Sequence, residues 1–399
     1  MAKTSTSDPV VIVAAARTAV GAFQGAFAEL AAPELGAAAI RAAVERAGVA
    51  PGEVSEVLMG CVLPAGQGQA PARQAAIKGG LPESVPCSTV NKVCGSGMKT
   101  VMLAADALAA RPRDIIVAGG MESMTNAPYL LPKMRRGARL GHAEVKDHMF
   151  LDGLEDAYEP GRLMGTFAED TAEKYQFTRA AQDSFALESL KRARRASEDG
   201  SFASEIAPVT VRTRAGEASV ARDEQPFKSD QSRIPHLKPA FRKDGTVTAA
   251  NSSAISDGAA ALVLMRASEA RRRGIAPVAR LAGQASHAQA PAWFTTAPFG
   301  AIEKLLDAAG WQAGDVGLYE INEAFAVVAL AAMRDLGLGH ETVNVHGGAC
   351  ALGHPIGASG ARIIVTLLAA MQKFGVERGI AALCIGGGEA TAVALERVG

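Results

Sequence analysis

Four short stretches of this 399-residue chain carry side chains suited to nucleophilic catalysis. In STVNKVCGSGMK (88–99) a turn delivers Cys94 to the first position of a predicted helix. Unpaired N–H groups and the positive end of the helix dipole would favour a thiolate there. Gly95 and Gly97 permit a sharp strand-to-helix turn of the kind that aims a nucleophile away from a strand end. The alternative for Cys94 is a small buried residue in a tight turn. His354 lies in HGGACALGHPIGASG (346–360), between Gly353 and the stiffening Pro355. An imidazole held just before a helix start can serve as general base to a thiol. A lone histidine is otherwise structural, and His346 on the same segment is the decoy. Cys384, in AALCIGGGEA (381–390), is a thiol at a strand end facing three glycines, whose N–H groups are oxyanion-hole material. Asn322, in YEINEAF (319–325), is an amide between strand and helix that could orient a water or a histidine. Glu323 beside it reads as a helix-start acid. The other histidines, 142, 148, 236, 287 and 340, sit in lid-like or surface contexts and read as structural.

These residues need elements to hold them. Apolar runs at 9–15 and 54–62 read as strands, and 34–47 reads as a helix closed by Gly48. A strand begins at 114–117 and ends in Gly119-Gly120. The alternation predicts a layered α/β core with parallel pairing. The chain also repeats itself. Cys94-Gly-Ser-Gly97 opens a helix (98–110) followed by DIIVAGGMES (114–123). Gly357-Ala-Ser-Gly360 likewise opens a helix (361–373) followed by IAALCIGGGEA (380–390). The spacing is far too long for a solenoid and points to a duplicated domain. Between the copies, 124–250 is rich in charges and turns, with KMRRGAR (133–139), an acidic 152–159 and a helical 184–196. It reads as an inserted lid or loop region outside the core. Its basic clusters, and Arg271-Arg272-Arg273 after it, read as solvated faces, with contact to a phosphorylated ligand as the alternative.

Composition narrows the function classes. Lys and Arg number 41, matching 41 Asp and Glu, which argues against nucleic acid as the main partner. Only 21% of residues are charged and 48% are hydrophobic, a globular composition. A single core stops growing near roughly 250–300 residues, so at least two core-forming units are expected. The start, 1–9, is polar with no signal-peptide run, and the apolar run at 258–265 is far short of the roughly 20 residues that span a bilayer. No membrane partner is expected. Five cysteines without a C-x-x-C fit a reducing, cytoplasmic setting rather than a disulfide or zinc framework. Cys61, Cys87 and Cys350 read as ordinary buried thiols. Gly66-Gln-Gly68 starts like a dinucleotide loop but lacks its third glycine, and no Walker sequence exists. The 42 glycines gather around Cys94, around His354 and after Cys384, where backbone would have to approach a ligand closely.

Taken together, RTAVGAFQGA (17–26), LPAGQGQAPARQAA (63–76), NKVCGSGMK (91–99), GGMESMTNAPYLL (119–131), NSSAISDGAAA (251–261), NEAFA (322–326), GGACALGHPIGASGAR (347–362) and CIGGGEA (384–390) resemble the thiolase family over essentially the whole chain. NKVCGSGMK looks more like the branch that makes acetoacetyl-CoA than the long-chain degradative branch. The resemblance implies a duplicated five-layered α-β-α-β-α core with an inserted loop domain. Its halves would be 1–123 with 251–277, and 278–399, with 124–250 inserted for substrate binding and tetramerisation. Within that insertion, 127–141 would build a homotetramer.

The same resemblance implies roles. Cys94 would accept the acyl group, His354 would activate it, and Cys384 would move the α-proton of the attacking acetyl-CoA. Asn322 would hold a water in one oxyanion hole, to which His354 contributes. The N–H groups of Cys94 and Gly386 would form the other. Met164, Phe241, Ala249, Ser253, Ala324 and Phe325 fall at positions that line the CoA or acyl pocket. Three positions depart from the pattern: Leu163 where a histidine is usual, Phe294 where methionine is usual, and Lys228 beside the place of a usual arginine. CoA thioesters would be the substrates, with no bound cofactor and no metal. The competing readings are a broader 3-ketoacyl-CoA thiolase of fatty-acid degradation, a decarboxylating ketoacyl synthase, a cysteine hydrolase, and a non-catalytic CoA or lipid carrier. A second thiol, Cys384, speaks against the synthase.

Overall fold

The computed structural model describes residues 8–214 and 216–398. Most of the polar opening on which an absent leader is read, 1–7, lies outside the described residues, as do Ala215 and Gly399. Strand β1 (Val10–Thr18) is buried along nearly its whole length, as a continuous apolar run requires. Helix α1 (Ala32–Ala47) carries Pro33 in its first turn and stops at Gly48, whose φ of 63° lets its N–H turn back to Glu45. Then come β2 (Glu56–Gly60), α2 (Pro71–Lys78), β3 (Cys87–Val90), α3 (Ser96–Ala110) and β4 (Ile116–Ser123). After the insertion, with α4 (Met164–Tyr175) and α5 (Arg179–Glu198), strand β5 (Ser256–Arg266) returns. The second set is β6 (Ala279–Ala288), α6 (Ala297–Ala309), β7 (Leu318–Ile321), α7 (Ala326–Leu336), α8 (Ile356–Phe374), β8 (Arg378–Ile385) and β9 (Glu389–Arg397).

The strands lie in the order β3-β2-β4-β5-β1, then β6-β9-β8-β7. The two sets join through β1 and β6, where Val11 faces Arg280 and Ile12 faces Ala279. Each set repeats the other. β2 runs parallel to β4, and β7 runs parallel to β8. β5 is antiparallel to β4 and β1, as β9 is to β8 and β6. A single parallel bridge, Tyr319 to Val343, stands where β3 pairs with β2. The sheets are therefore mixed rather than parallel, because the last strand of each set turns back along its neighbour.

Helices α3 and α8 fill the space between the sheets, burying Met98, Val101, Leu108, Ile363, Ile364 and Leu367 against strands of both. Helices α1 and α2 cover one outer face, α6 and α7 the other, which makes five layers. Each fully buried large aliphatic side chain contributes roughly 1.5–3 kcal/mol. The two middle helices cross so closely that a Cβ on Gly360 would lie 2.4 Å from the Met98 nitrogen. One on Gly97 would lie 2.9 Å from the Ala361 nitrogen. Several of the clustered glycines thus serve helix packing, not approach to a ligand. Residues 357–360 belong to α8 itself, not to a turn before it.

The stretch Val93–Ala110 is long and apolar enough to be considered for a membrane span, but it includes the buried middle helix α3. One further expectation changes. The segment 124–250 is no mere loop. Phe185 of α5 packs into the core around α6, while Leu190 and Ala193 pack into the core around α1. Its later part is bolted to β1 through Arg17, wholly buried, which pairs with Glu205 and Asp223 at 2.7 Å each.

Candidate active site

Cys94 sits in a tight turn between β3 and α3. The residue before it, Val93, has φ +46°, a conformation a β-branched side chain adopts only under constraint. Asn91 Oδ1 accepts from the Val93 N–H at 2.9 Å, and Ser96 Oγ accepts from the Lys92 N–H at 2.8 Å. Helix α3 starts only at Ser96, so Cys94 precedes the helix by two residues. Its side chain packs with Val62, Leu63, Met124, Met149 and Ile356. Burial there pushes the thiol up to about 11, against the opposing pull of the Gly386 and Cys94 backbone groups. The helix-start argument for a resting thiolate therefore fails, since loss of hydration outweighs the dipole.

His354 occupies the matching place in the second repeat, two residues before α8. Gly353 turns the chain with φ +106°, where any Cβ would lie 2.0 Å from the Ser256 hydroxyl. The His354 N–H donates to the Ala254 carbonyl at 3.0 Å. Ser359 Oγ donates to the Pro355 carbonyl at 2.9 Å and stands 2.6 Å from His354 Nδ1. With its proton so committed, Ser359 accepts from Nδ1–H, an assignment made from the network. That leaves the Nε2 lone pair as an acceptor. Nε2 faces the Asn322 amide nitrogen at 3.5 Å. Burial, aided by the positive charge of Arg362, pushes the imidazole down to about 3, so it rests neutral.

Cys384, at the end of β8, is buried, and its thiol is pushed well above the ordinary range. Burial is the main cause, and charge on Cys94 adds to it. Charge on one sulfur thus disfavours charge on the other. Gly386 stands beside them, with a Cβ position 3.6 Å from the Met164 sulfur and 3.8 Å from Val93. The structure brings Cys94, Cys384 and Gly386 together, and Asn322 with His354. Among the described residues no hydrogen bond joins His354 to Cys94.

The pocket residues fall in two groups. Phe294, Ala324 and Phe325 share one apolar cluster with Cys384, against which Met164 and Phe241 pack. Phe294 meets Phe167 edge to face at 6.1 Å, and Phe241 meets Phe325 likewise at 5.9 Å. Leu163 precedes Met164 as the cap of α4, and the Ser253 N–H donates to the Ala324 carbonyl at 2.9 Å. Lys228 and Ala249 instead line a cleft of about 300 Å³ with Arg233, Ala254 and Cys350. Ala254, which accepts from His354, connects that cleft to the reactive residues. Lys228 also pairs with Glu224 at 3.1 Å.

Several residues of the site are not singled out by sequence reasoning. Ser359 is one, five positions after His354 in a run read only as a turn. Glu122 is another: its carboxylate accepts from the N–H groups of Val62, Leu63 and Gly357 at 3.0, 3.1 and 2.8 Å. Burial pushes it up to about 7. Glu323 is not a helix-start acid, because its buried carboxylate holds Ser189, Asn344 and the Cys350 N–H. Arg233 brings a guanidinium to the cleft that Lys228 lines. His346 is the decoy it resembles: it lies between Phe202 and Phe374, and neither ring nitrogen has a partner.

Residues 10–268 match the profile described as thiolase, N-terminal domain, and 275–397 match thiolase, C-terminal domain. A Pseudomonas aeruginosa acetyl-CoA acetyltransferase is 51% identical over 390 residues, covering 97% of this chain and 99% of that protein. One from Cupriavidus necator is 51% identical over 396 residues, with the same coverage. One from Schizosaccharomyces pombe is 48% identical over 391 residues, covering 98% and 99%. With both halves of the family matched, on a fold whose two repeats each place one of Cys94 and His354 two residues before a middle helix, this chain belongs to the thiolase family.

Proposed function

We propose that the protein is an acetyl-CoA C-acetyltransferase, joining two acetyl-CoA into acetoacetyl-CoA and CoA and running the reverse thiolysis of short 3-ketoacyl-CoAs. The observation that carries this reading is a pair of thiols, Cys94 and the buried Cys384, that disfavour each other's charge, on a fold that also holds a neutral imidazole, His354, with Nδ1 committed to Ser359. Cys94 attacks the thioester carbonyl as His354 takes its proton. The N–H groups of Cys94 and Gly386 hold the oxyanion, and CoA leaves with the proton of the Cys384 thiol, while His354 keeps the Cys94 proton on Nε2. A second acetyl-CoA then enters, and Cys384, now a thiolate, removes its α-proton. The enolate oxygen accepts from His354 Nε2–H and from a water on Asn322. The enolate carbon attacks the acetyl-Cys94 carbonyl, and the departing Cys94 sulfur regains its proton from His354. One donor of this kind is typically worth about 3 kcal/mol. No step calls for a metal or a bound cofactor.

The Lys228 and Arg233 cleft suits the phosphates of CoA, while Met164, Phe241, Ala249, Ser253, Ala324 and Phe325 would bind the rest of the thioester. Phe294, packed on Phe167 next to Cys384, supports a short acyl chain over the broader degradative specificity. The domain division is proposed as 1–123 with 251–277, 124–250, and 278–399. A homotetramer through 127–141 fits exposed Tyr129, Leu131, Met134 and Leu140. Five free thiols, two of them reagents, suit a cytoplasmic location. Thiolysis of 3-ketoacyl-CoAs from four carbons upward tests the reading. The four-carbon substrate should be cleaved fastest, and activity on long chains alone would overturn it.

A further inference from the structure

Arg362 is a guanidinium buried to 2% exposure in the middle layer, a costly place for a charge. Its closest acidic partner, Glu320, is equally buried, and Nη1 lies 3.7 Å from that carboxylate. Nε and Nη1 of Arg362 and Oε1 of Glu320 have no hydrogen-bond partner among the described residues. Such a pair is a poor device for stability. What Arg362 does reach is the Asn322 carbonyl oxygen, at 3.5 Å from Nη2. A guanidinium has donors and no acceptor. Facing it, the Asn322 amide must turn its oxygen to Arg362 and its NH2 toward His354 Nε2, 3.5 Å away.

We propose that Arg362, backed by Glu320, is a positioning residue that fixes the Asn322 amide so that its NH2 is turned to the side where the water on Asn322 holds the enolate oxygen during condensation. This rests on the reaction given under the proposed function. The step served is α-proton removal, not acetylation of Cys94, since Asn322 belongs to the enolate side of the site.

The test compares wild type with Arg362→Lys, Glu320→Gln, Asn322→Ala and the Asn322→Ala/Arg362→Lys double variant. Acetyl-Cys94 formation is followed by mass spectrometry and condensation by acetoacetyl-CoA release. Arg362→Lys should lower kcat for condensation about 10–100-fold while KM and the acetylation rate stay within about twofold. Glu320→Gln, nearly isosteric, should show the same split at roughly fivefold and decides the matter if Arg362→Lys does not fold. The double variant should be no slower than Asn322→Ala alone. Additive losses, or equal losses in acetylation and condensation, overturn the proposal alone. A wild-type protein that forms no acetyl-enzyme overturns the reaction and this proposal together.

Discussion

The two repeats put a reactive side chain at the same address and surround it differently. Cys94 and His354 each stand two residues before a middle helix. Cys61 and Asn322 each follow the second strand of their set. The first repeat offers its residue an apolar wall of Val62 and Leu63, completed by Met149 of the insertion. The second offers Ser359, Asn322 and Arg362. Duplication supplied two equivalent positions at the meeting of two helix ends, and side-chain chemistry then divided the labour. On the proposed reaction, the first repeat holds a nucleophile that must lose its proton to act, and the second holds the neutral base that takes it.

Replacing the nucleophile breaks the comparison most severely. Cys94→Ser should abolish acetyl-enzyme and lower turnover by on the order of 10⁴-fold or more, read by intact-protein mass spectrometry and acetoacetyl-CoA assay. An undiminished acetyl adduct would move the nucleophile elsewhere. Cys384→Ala separates the two steps: acetyl-Cys94 should still accumulate while condensation falls about 10³-fold. Full condensation by that variant would remove Cys384 from the reaction.

A comparison inside the second repeat is sharpened by the two histidines eight positions apart. Both rest neutral, but His346 has no hydrogen-bond partner among the described residues, and burial pushes it down from 6.5 to about 4. Its contribution is therefore present above about pH 6.5 and is lost as pH falls through 4. His346→Phe should reduce acid destabilisation over that window by about 3 kcal/mol, measured by denaturant unfolding at several pH values. Activity near neutral pH should be retained; its collapse with intact folding would give His346 more than a packing role. The smallest effect belongs to Ser359→Ala, which frees the tautomer of His354. Turnover should fall about tenfold with Tm nearly unchanged, and an unaltered kcat would show that the imidazole is held by other contacts.

Much of the site is legible in the chain. Cys94, His354, Cys384 and Asn322 carry motif signals because small residues beside a reactive group leave a local pattern. The two repeats are legible because helix and strand periods recur in the same order. Glu122, Ser359 and Arg362 are not, because their partners lie far along the chain or only across a packed layer. Glu122, for instance, meets Gly357 235 positions away. Ionisation state was equally out of reach. A turn before a helix suggests a thiolate, but burial of Cys94 reverses that preference.

By itself the sequence determined which side chains could react and that the chain is built twice around a middle helix. Only the tertiary structure decided that Cys384 is buried, that the imidazole is neutral with Nε2 turned to Asn322, and that Arg362 faces Asn322. The reason is physical. Periodicity and turn chemistry are local properties of a chain, whereas desolvation and the orientation of a buried amide depend on atoms that only folding brings together.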